Sequence, residues 1–103
     1  MSDYIYIIKD TGKDNIYKIG VSKNPQKRVK QLQTGNCNSL KLIFEILIEN
    51  SINAYEAEKI IHNYLKENNK WKHGEWFELK NDDDVVKLAK TMLCLSKNNN
   101  KKT

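Results

Sequence analysis

Hydrophobic and polar positions alternate along residues 3–9, with Ile5 and Ile7 on one side and Tyr4, Tyr6 and Ile8 on the other. A run this rich in β-branched and aromatic residues, with a period of two, predicts a strand. Asp10 to Asn15, with Gly12 inside it, reads as a turn of hairpin length. The return strand over 16–21 puts Tyr17, Ile19 and Val21 on one face and Ile16, Lys18 and Gly20 on the other. If Ile5 and Ile7 share the core face with Tyr17, Ile19 and Val21, then Tyr6, Lys18 and Gly20 share the opposite face. Gly20 carries no side chain there, so backbone or a ligand can approach closely.

The period then changes. Asn24 followed by Pro25 is a helix start, a capping side chain and then a proline whose missing N–H costs nothing at the first helical position. Val29 and Leu32 form the apolar stripe of this helix, Lys23, Lys27, Arg28, Lys30 and Gln31 crowd its polar side, and Gly35 closes it. Residues 40–49 predict a third strand, with Leu40, Leu42, Phe44, Ile46 and Ile48 on one face. Its facing set, Lys41, Ile43, Glu45 and Leu47, is mixed, and the strand is expected to be central. Ser51 caps a second helix over roughly 52–68, whose Ala57, Ile60, Ile61, Tyr64 and Leu65 recur at helical spacing and should pack on the sheet. Asn68 and Asn69 stop it. Trp71 to Gly74 read as a loop, and Glu75 to Leu79 as a short strand or edge segment. Asn81 caps a last helix opened by Asp82, Asp83 and Asp84 and anchored by Val85, Leu88, Ala89, Met92, Leu93 and Leu95. The expected architecture is α+β, a small, mostly antiparallel three-stranded sheet with a short edge segment, flanked by three helices. It occupies residues 1–96 as one domain, followed by a polar tail rich in lysine and asparagine over 97–103.

Chemistry enters where these elements meet. Two strands bring Tyr6 and Lys18 to one place, and the first helix brings Arg28 there. A tyrosine, a lysine and an arginine together on a small sheet are suited to a phosphate: arginine grips non-bridging oxygens with paired donors, and lysine supplies a point charge. The chain carries 18 basic residues, and Arg28 is its one arginine. A genome rich in A and T also favours lysine and leaves one arginine by chance, so Arg28 counts only with its position. Tyr17 does not substitute for Lys18, because alternation turns it to the other face with Ile19. On the second helix Glu58 lies one turn from His62, a spacing at which the two side chains pair, and Glu56 competes with Glu58 as a candidate acid.

The net charge of +5 favours anionic partners, nucleic acid above all. Lys70 and Lys72, on either side of Trp71, join Lys23, Lys27 and Lys30 as the expected contacts to such a partner, and Trp71 there can stack on a base. No apolar run approaches the ~20 residues of a membrane helix. The N-terminus lacks the regions of a signal peptide. Cys37 and Cys94 lie far apart with no CxxC spacing. An intracellular protein with reduced cysteines and no membrane contact is the expectation.

The pattern of two strands and a helix resembles the GIY-YIG nuclease superfamily, with Tyr4-Ile5-Tyr6 for its first motif and Lys18-Ile19-Gly20 for its second. Four pieces in order, YKIG, SKNPQKRVKQLQTG, EAEKIIH and GEWFEL, more closely resemble its small branch that includes the phage-T5-type orf172 DNA-binding domain and the Mug113-like proteins, and the resemblance covers about residues 4–79. It implies a GIY-YIG-like fold and a metal-dependent endonuclease that hydrolyses phosphodiester bonds in DNA, with RNA left open. Carried over by position, Tyr6 is the general base or water-orienting group, Arg28 grips the phosphate, and Glu58 binds one Mg²⁺ or Mn²⁺. Tyr17, Gly20 and His62 support them. The sequence departs from the pattern at Tyr4 for the first glycine, at Lys18 for the second tyrosine and at Leu32 for a histidine. The asparagine often found late in the family has no counterpart in GEWFEL. A catalytically weak or inactive nucleic-acid-binding module of the same fold is the alternative. Cutting both strands with one-site subunits calls for two of them, so a homodimer, or a partner protein that supplies specificity, also belongs to the expectation.

Overall fold

The structure is a computed structural model, and it describes residues 3–48, 51–67, 70–80 and 82–100. In chain order the elements are β1 (Asp3–Asp10), β2 (Ile16–Ser22), α1 (Pro25–Thr34), β3 (Leu40–Ile48), α2 (Ser51–Glu67), β4 (Trp71–His73), β5 (Trp76–Glu78) and α3 (Asp82–Asn100). The five strands form one antiparallel sheet in the order β3-β1-β2-β5-β4. The expected stop at Asn68–Asn69 and the cap at Asn81 lie outside the described residues, as do residues 101–103 and the side chains of Ser51, Trp71, His73, Leu93 and Leu95. Helix α3 runs through Asn100, beyond the start of the polar segment at 97.

The β1–β2 register places Tyr6 opposite Gly20 and Ile8 opposite Lys18 on one face, and Ile5 opposite Val21 and Ile7 opposite Ile19 on the other, as alternation requires. The second face carries the larger core. Ile5, Ile7, Tyr17 and Ile19 pack with Ala54, Ala57, Ile61 and Leu65 of α2, with Phe77 and Leu79, and with Leu88 and Met92 of α3. The first face carries a smaller core, in which Tyr6, Ile8 and Leu40 are covered by Val29 and Leu32 of α1, with Leu42 and Trp76 beside them. Helix α1 begins as its sequence dictates. The Asn24 Oδ1 accepts the Lys27 N–H at 3.1 Å, Pro25 follows the cap, and Gly35 ends the helix with its N–H on the Leu32 carbonyl at 3.3 Å.

Four expectations are corrected. Residues 71–73, expected in a loop, form β4, and Gly74 makes the turn to β5 with φ +54°, a conformation glycine adopts without strain. Three-residue strands are too short to show an alternation, and only pairing defines them. Strand β3, expected to be central, is an edge strand. Its Lys41 and Glu45 are exposed, as charged residues on an edge strand should be. The β1–β3 ladder pairs Ile7 with Phe44 and Ile8 with Leu42, which leaves Ile43 unpaired in a bulge. That extra residue switches faces, so Leu40 and Leu42 join the α1 side while Phe44, Ile46 and Ile48 join the larger core, and the expected single apolar face is split. Finally, Ile60 and Tyr64 of α2, expected to pack on the sheet, are 54 % and 57 % exposed. The buried stripe runs Ala54, Ala57, Ile61, Leu65, and helical pitch puts each next residue about 100° around from it.

Ile61→Ala is therefore expected to destabilise the domain by about 2–4 kcal/mol through loss of buried surface and the cavity left behind. Ile60→Ala, one residue earlier, should change stability by roughly 0.5 kcal/mol or less. Urea unfolding of the two variants checks the orientation of α2.

A candidate active site at the edge of β2

Strand β5 pairs with β2 only from Ile16 to Lys18. Beyond Lys18 the main chain of β2 needs other partners, since buried peptide groups rarely go unpaired. The Ile19 N–H donates to the Glu75 carbonyl at 3.1 Å, and the His62 Nε2 bonds the Ile19 carbonyl at 2.8 Å. The turn before β5 and helix α2 thus meet at the point where the sheet opens. His62 binds this carbonyl rather than Glu58, its expected partner. Its ring lies 4.9 Å from that of Phe77, and burial lowers its pKa against the raising effect of the Ile19 carbonyl.

Five side chains converge around Gly20. Tyr6 faces it across the ladder, 1 % exposed, and Arg28 from α1 donates a hydrogen bond to the Tyr6 hydroxyl. Lys18 is 7 % exposed, with its Nζ 2.9 Å from the Glu75 Oε1 and 5.6 Å from the centre of the Trp76 ring. Glu58 reaches Glu75 from α2 and shares a hydrogen bond with it. A Cβ on Gly20 would stand 2.5 Å from the Tyr6 hydroxyl and 2.9 Å from the Glu75 Oε1. The missing side chain is the space in which these groups meet.

The expectation that Tyr6, Lys18, Arg28 and Glu58 meet on one sheet face needs a correction. Tyr6, Lys18 and Arg28 belong to the α1 side. Glu58 sits on a helix packed against the opposite face, and it arrives around the free edge of β2. The competing Glu56 is exposed, and Tyr17 is buried in the larger core, away from the cluster. Of the expected nucleic-acid contacts, Lys27 and Lys30 are exposed on α1, and Lys23 is exposed with its Nζ 3.4 Å from Asp3. Lys70 is engaged elsewhere, 3.0 Å from Asp84 of α3, and Lys72 lies 3.9 Å from Glu78 on the β4–β5 hairpin. Glu75 is the site residue that sequence reading passed over. Its signal was present, an isolated acid between a turn glycine and an aromatic strand, but only the pairing of β5 with β2 brings it to Lys18.

The electrostatics assign protons. Burial raises the Tyr6 pKa, and the Arg28 hydrogen bond offsets this only in part, so the phenol is neutral at ordinary pH. A neutral hydroxyl in this position can orient a water. Burial, then repulsion from Glu75 and a hydrogen bond with it, push the Glu58 carboxyl up from 4.5 to about 7, against the pull of Lys18. The Glu58 carboxyl therefore keeps its proton up to near neutrality, hydrogen-bonded with Glu75. Such a pair suits Mg²⁺ or Mn²⁺, which is commonly held by one or two carboxylates together with substrate oxygens. Among the described residues no cluster of three or more acidic, histidine or cysteine ligands exists, so these two would hold a cation in company with water or phosphate.

An α+β domain with helices on both faces of its sheet thus gathers a tyrosine–arginine pair and a carboxyl pair at one sheet edge. The T5orf172 domain family profile matches residues 3–93, and the chain belongs to this family. Membership is consistent with a nuclease-like or DNA-binding module and points to nucleic acid as the partner. No curated protein and no solved structure matches the chain. No described helix is long and apolar enough to cross a membrane, and Cys37 and Cys94 are exposed free thiols.

Two expectations follow for stability. The native Glu58 carboxyl holds its proton up to about pH 7, whereas in the unfolded chain it releases it near 4.5. Between those values the native state binds more protons, so the pair makes the fold less stable as pH rises through the window. Glu58→Gln should raise stability at pH 8 by about 1 kcal/mol, after discounting for solvent screening at a half-buried site. At pH 4 it should leave stability nearly unchanged, and thermal melts of both proteins in EDTA at the two pH values measure the difference. Gly20→Ala should cost about 1–3 kcal/mol by driving the Tyr6 hydroxyl out of its packed position, read by denaturant unfolding.

Proposed function

We propose that this domain is a metal-dependent phosphodiesterase of the GIY-YIG type that cleaves DNA. The observation that carries the reading is the convergence of an arginine-bonded tyrosine, a lysine and two carboxyls on the gap left by Gly20. Hydrolysis of a phosphodiester needs a positioned water and stabilisation of the charge that develops on the phosphoryl oxygens. Arg28 binds non-bridging oxygens through its planar fork. Tyr6, neutral and held by Arg28, orients the attacking water with its hydroxyl. Lys18 adds positive charge at the same edge. Glu58 and Glu75 would hold the Mg²⁺ or Mn²⁺, which would supply Lewis-acid polarisation of the phosphate. Lys23, Lys27 and Lys30 draw the backbone of the nucleic acid along α1.

A second reading rests on one distance. The Lys18 Nζ lies 2.9 Å from Glu75, where it already supplies positive charge beside the carboxyl pair. With that ion pair intact a divalent cation has a competitor, and the domain would hold DNA without cutting it.

Plasmid nicking in Mg²⁺ or Mn²⁺ separates the two. On the nuclease reading Tyr6→Phe, Arg28→Ala, Glu58→Ala and Glu75→Ala each lose about a hundredfold or more in rate, as removal of a transition-state contact does. Equal rates in wild type and all variants would rule out this site. No cleavage in any metal, with salt-sensitive binding retained, selects the binding module. Under either reading the Lys27→Ala, Lys30→Ala double variant should lower the slope of log affinity against log salt by about 2, measured by anisotropy.

A further inference from the structure

Beside the carboxyl–lysine cluster lies a second concavity that the cleavage reading does not use. Its volume is about 300 Å³, and Asp10, Lys13, Ile16, Asn36, Lys72 and Trp76 line it. That volume falls at the small end of the roughly 300–1,000 Å³ range of small-ligand clefts. We propose that it receives one unpaired nucleobase, packed on Trp76 and recognised through an exocyclic amino group by Asp10. The proposal rests on the nucleic-acid reading of the neighbouring site, and it narrows the substrate to single-stranded or locally unpaired chains.

The walls of this cavity are already in place. The β1–β2 turn and the loop after α1 are locked together by hydrogen bonds from the Thr11 N–H and hydroxyl to the Ser39 carbonyl, at 2.9 and 2.7 Å. The Gln33 side chain donates to the Asn36 and Asn38 carbonyls at 3.2 and 2.8 Å and accepts the Leu40 N–H at 2.7 Å. A Cβ on Gly12 would collide with the Asn38 side chain, so the glycine lets the turn seat against it. A base entering such a site need not order its walls, which preserves affinity.

The chemistry of the lining selects the ligand. Asp10 is 2 % exposed, its Oδ1 accepts the Gly12 N–H at 3.0 Å, and its Oδ2 lies 3.5 Å from the Asn38 Nδ2. Among the described residues no ion pair reaches it. A carboxylate has about four acceptor positions, so lone pairs remain for a donor entering the cavity. Its charge repels phosphate and favours an N–H group, as on cytosine, adenine or guanine; a carboxylate accepting from the cytosine amino group is a known pairing. Trp76 and Ile16 offer the flat and apolar surfaces that bases use irrespective of sequence. Lys13 and Lys72 leave positive charge at the rim for the flanking phosphates. Trp76 pairs with Lys18 across the β2–β5 ladder, which joins this cavity to the site around Gly20. A base within a duplex is stacked and paired and cannot enter, so the strand must present it already free or flipped.

Fluorescence anisotropy at fixed salt in EDTA tests this without any cleavage. The probes are oligo(dC), oligo(dT), an abasic phosphodiester of the same length and a blunt duplex. Wild type is expected to bind oligo(dC) about tenfold tighter than the abasic chain, with oligo(dT) between them and the duplex weaker than oligo(dC). Trp76→Leu should remove most of the difference between base-bearing and abasic chains. Asp10→Asn, which keeps an oxygen for the Gly12 N–H, should narrow the gap between oligo(dC) and oligo(dT), and circular dichroism confirms that each variant is folded. Equal binding of base-bearing and abasic chains by wild type overturns the proposal, as does duplex binding as tight as oligo(dC). Full discrimination retained in both folded variants also overturns it. Because the assay holds no divalent metal, its failure leaves the nicking result untouched, and loss of nicking leaves these affinities to be read by themselves.

Discussion

Across the β1–β2 ladder the ring of Tyr6 extends over Gly20, and its hydroxyl occupies the volume that any larger residue would fill. Most of the functional arrangement depends on that steric fact. The ring is fully buried, and Arg28 from α1 hydrogen-bonds its hydroxyl. The Glu75 Oε1 closes on the same gap from the turn before β5, and through Glu75 the cluster extends to Lys18 and Glu58. The residue without a side chain is thus the one around which the others are placed.

Charge balance at this point is a second constraint. Two carboxyls and an ammonium are gathered at a part-buried sheet edge, where burial first and then the nearness of Glu75 raise the pKa of Glu58. The outcome is a protonated Glu58 near neutrality and a Lys18–Glu75 ion pair. On the proposed reading, a phosphate bound here would offer Lys18 a new partner, and Glu58 and Glu75 would be the residues to hold a divalent cation.

The sheet divides labour between its faces. The face under α2 and α3 holds the larger core and the stability that goes with it, while the face under α1 holds a small core and most of the polar machinery. Helix α2 serves both, with Ala57 and Ile61 inside and Glu58 and His62 directed to the open edge of β2. The edge is available because β5 pairs with only three residues of β2.

The sequence by itself determined whatever depends on local period and local chemistry. Alternation in β1 and β2 set Tyr6, Lys18 and Gly20 on one face with Tyr17 on the other, and Asn24-Pro25 set the start of α1 and so the position of Arg28. These features need only residues close along the chain or one hairpin. Tertiary structure decided what depends on pairing between distant segments. The Ile43 bulge, the edge position of β3, the short β4–β5 hairpin and the outward turn of Ile60 and Tyr64 leave no periodic trace in so few residues. The place of Glu75 in the site has the same origin. It lies 57 residues after Lys18 in the numbering of the chain, and only the β2–β5 ladder makes the two neighbours. The route of Glu58 around the sheet edge belongs here too, since a helix pattern tells which side is apolar but not which edge its polar residues overhang.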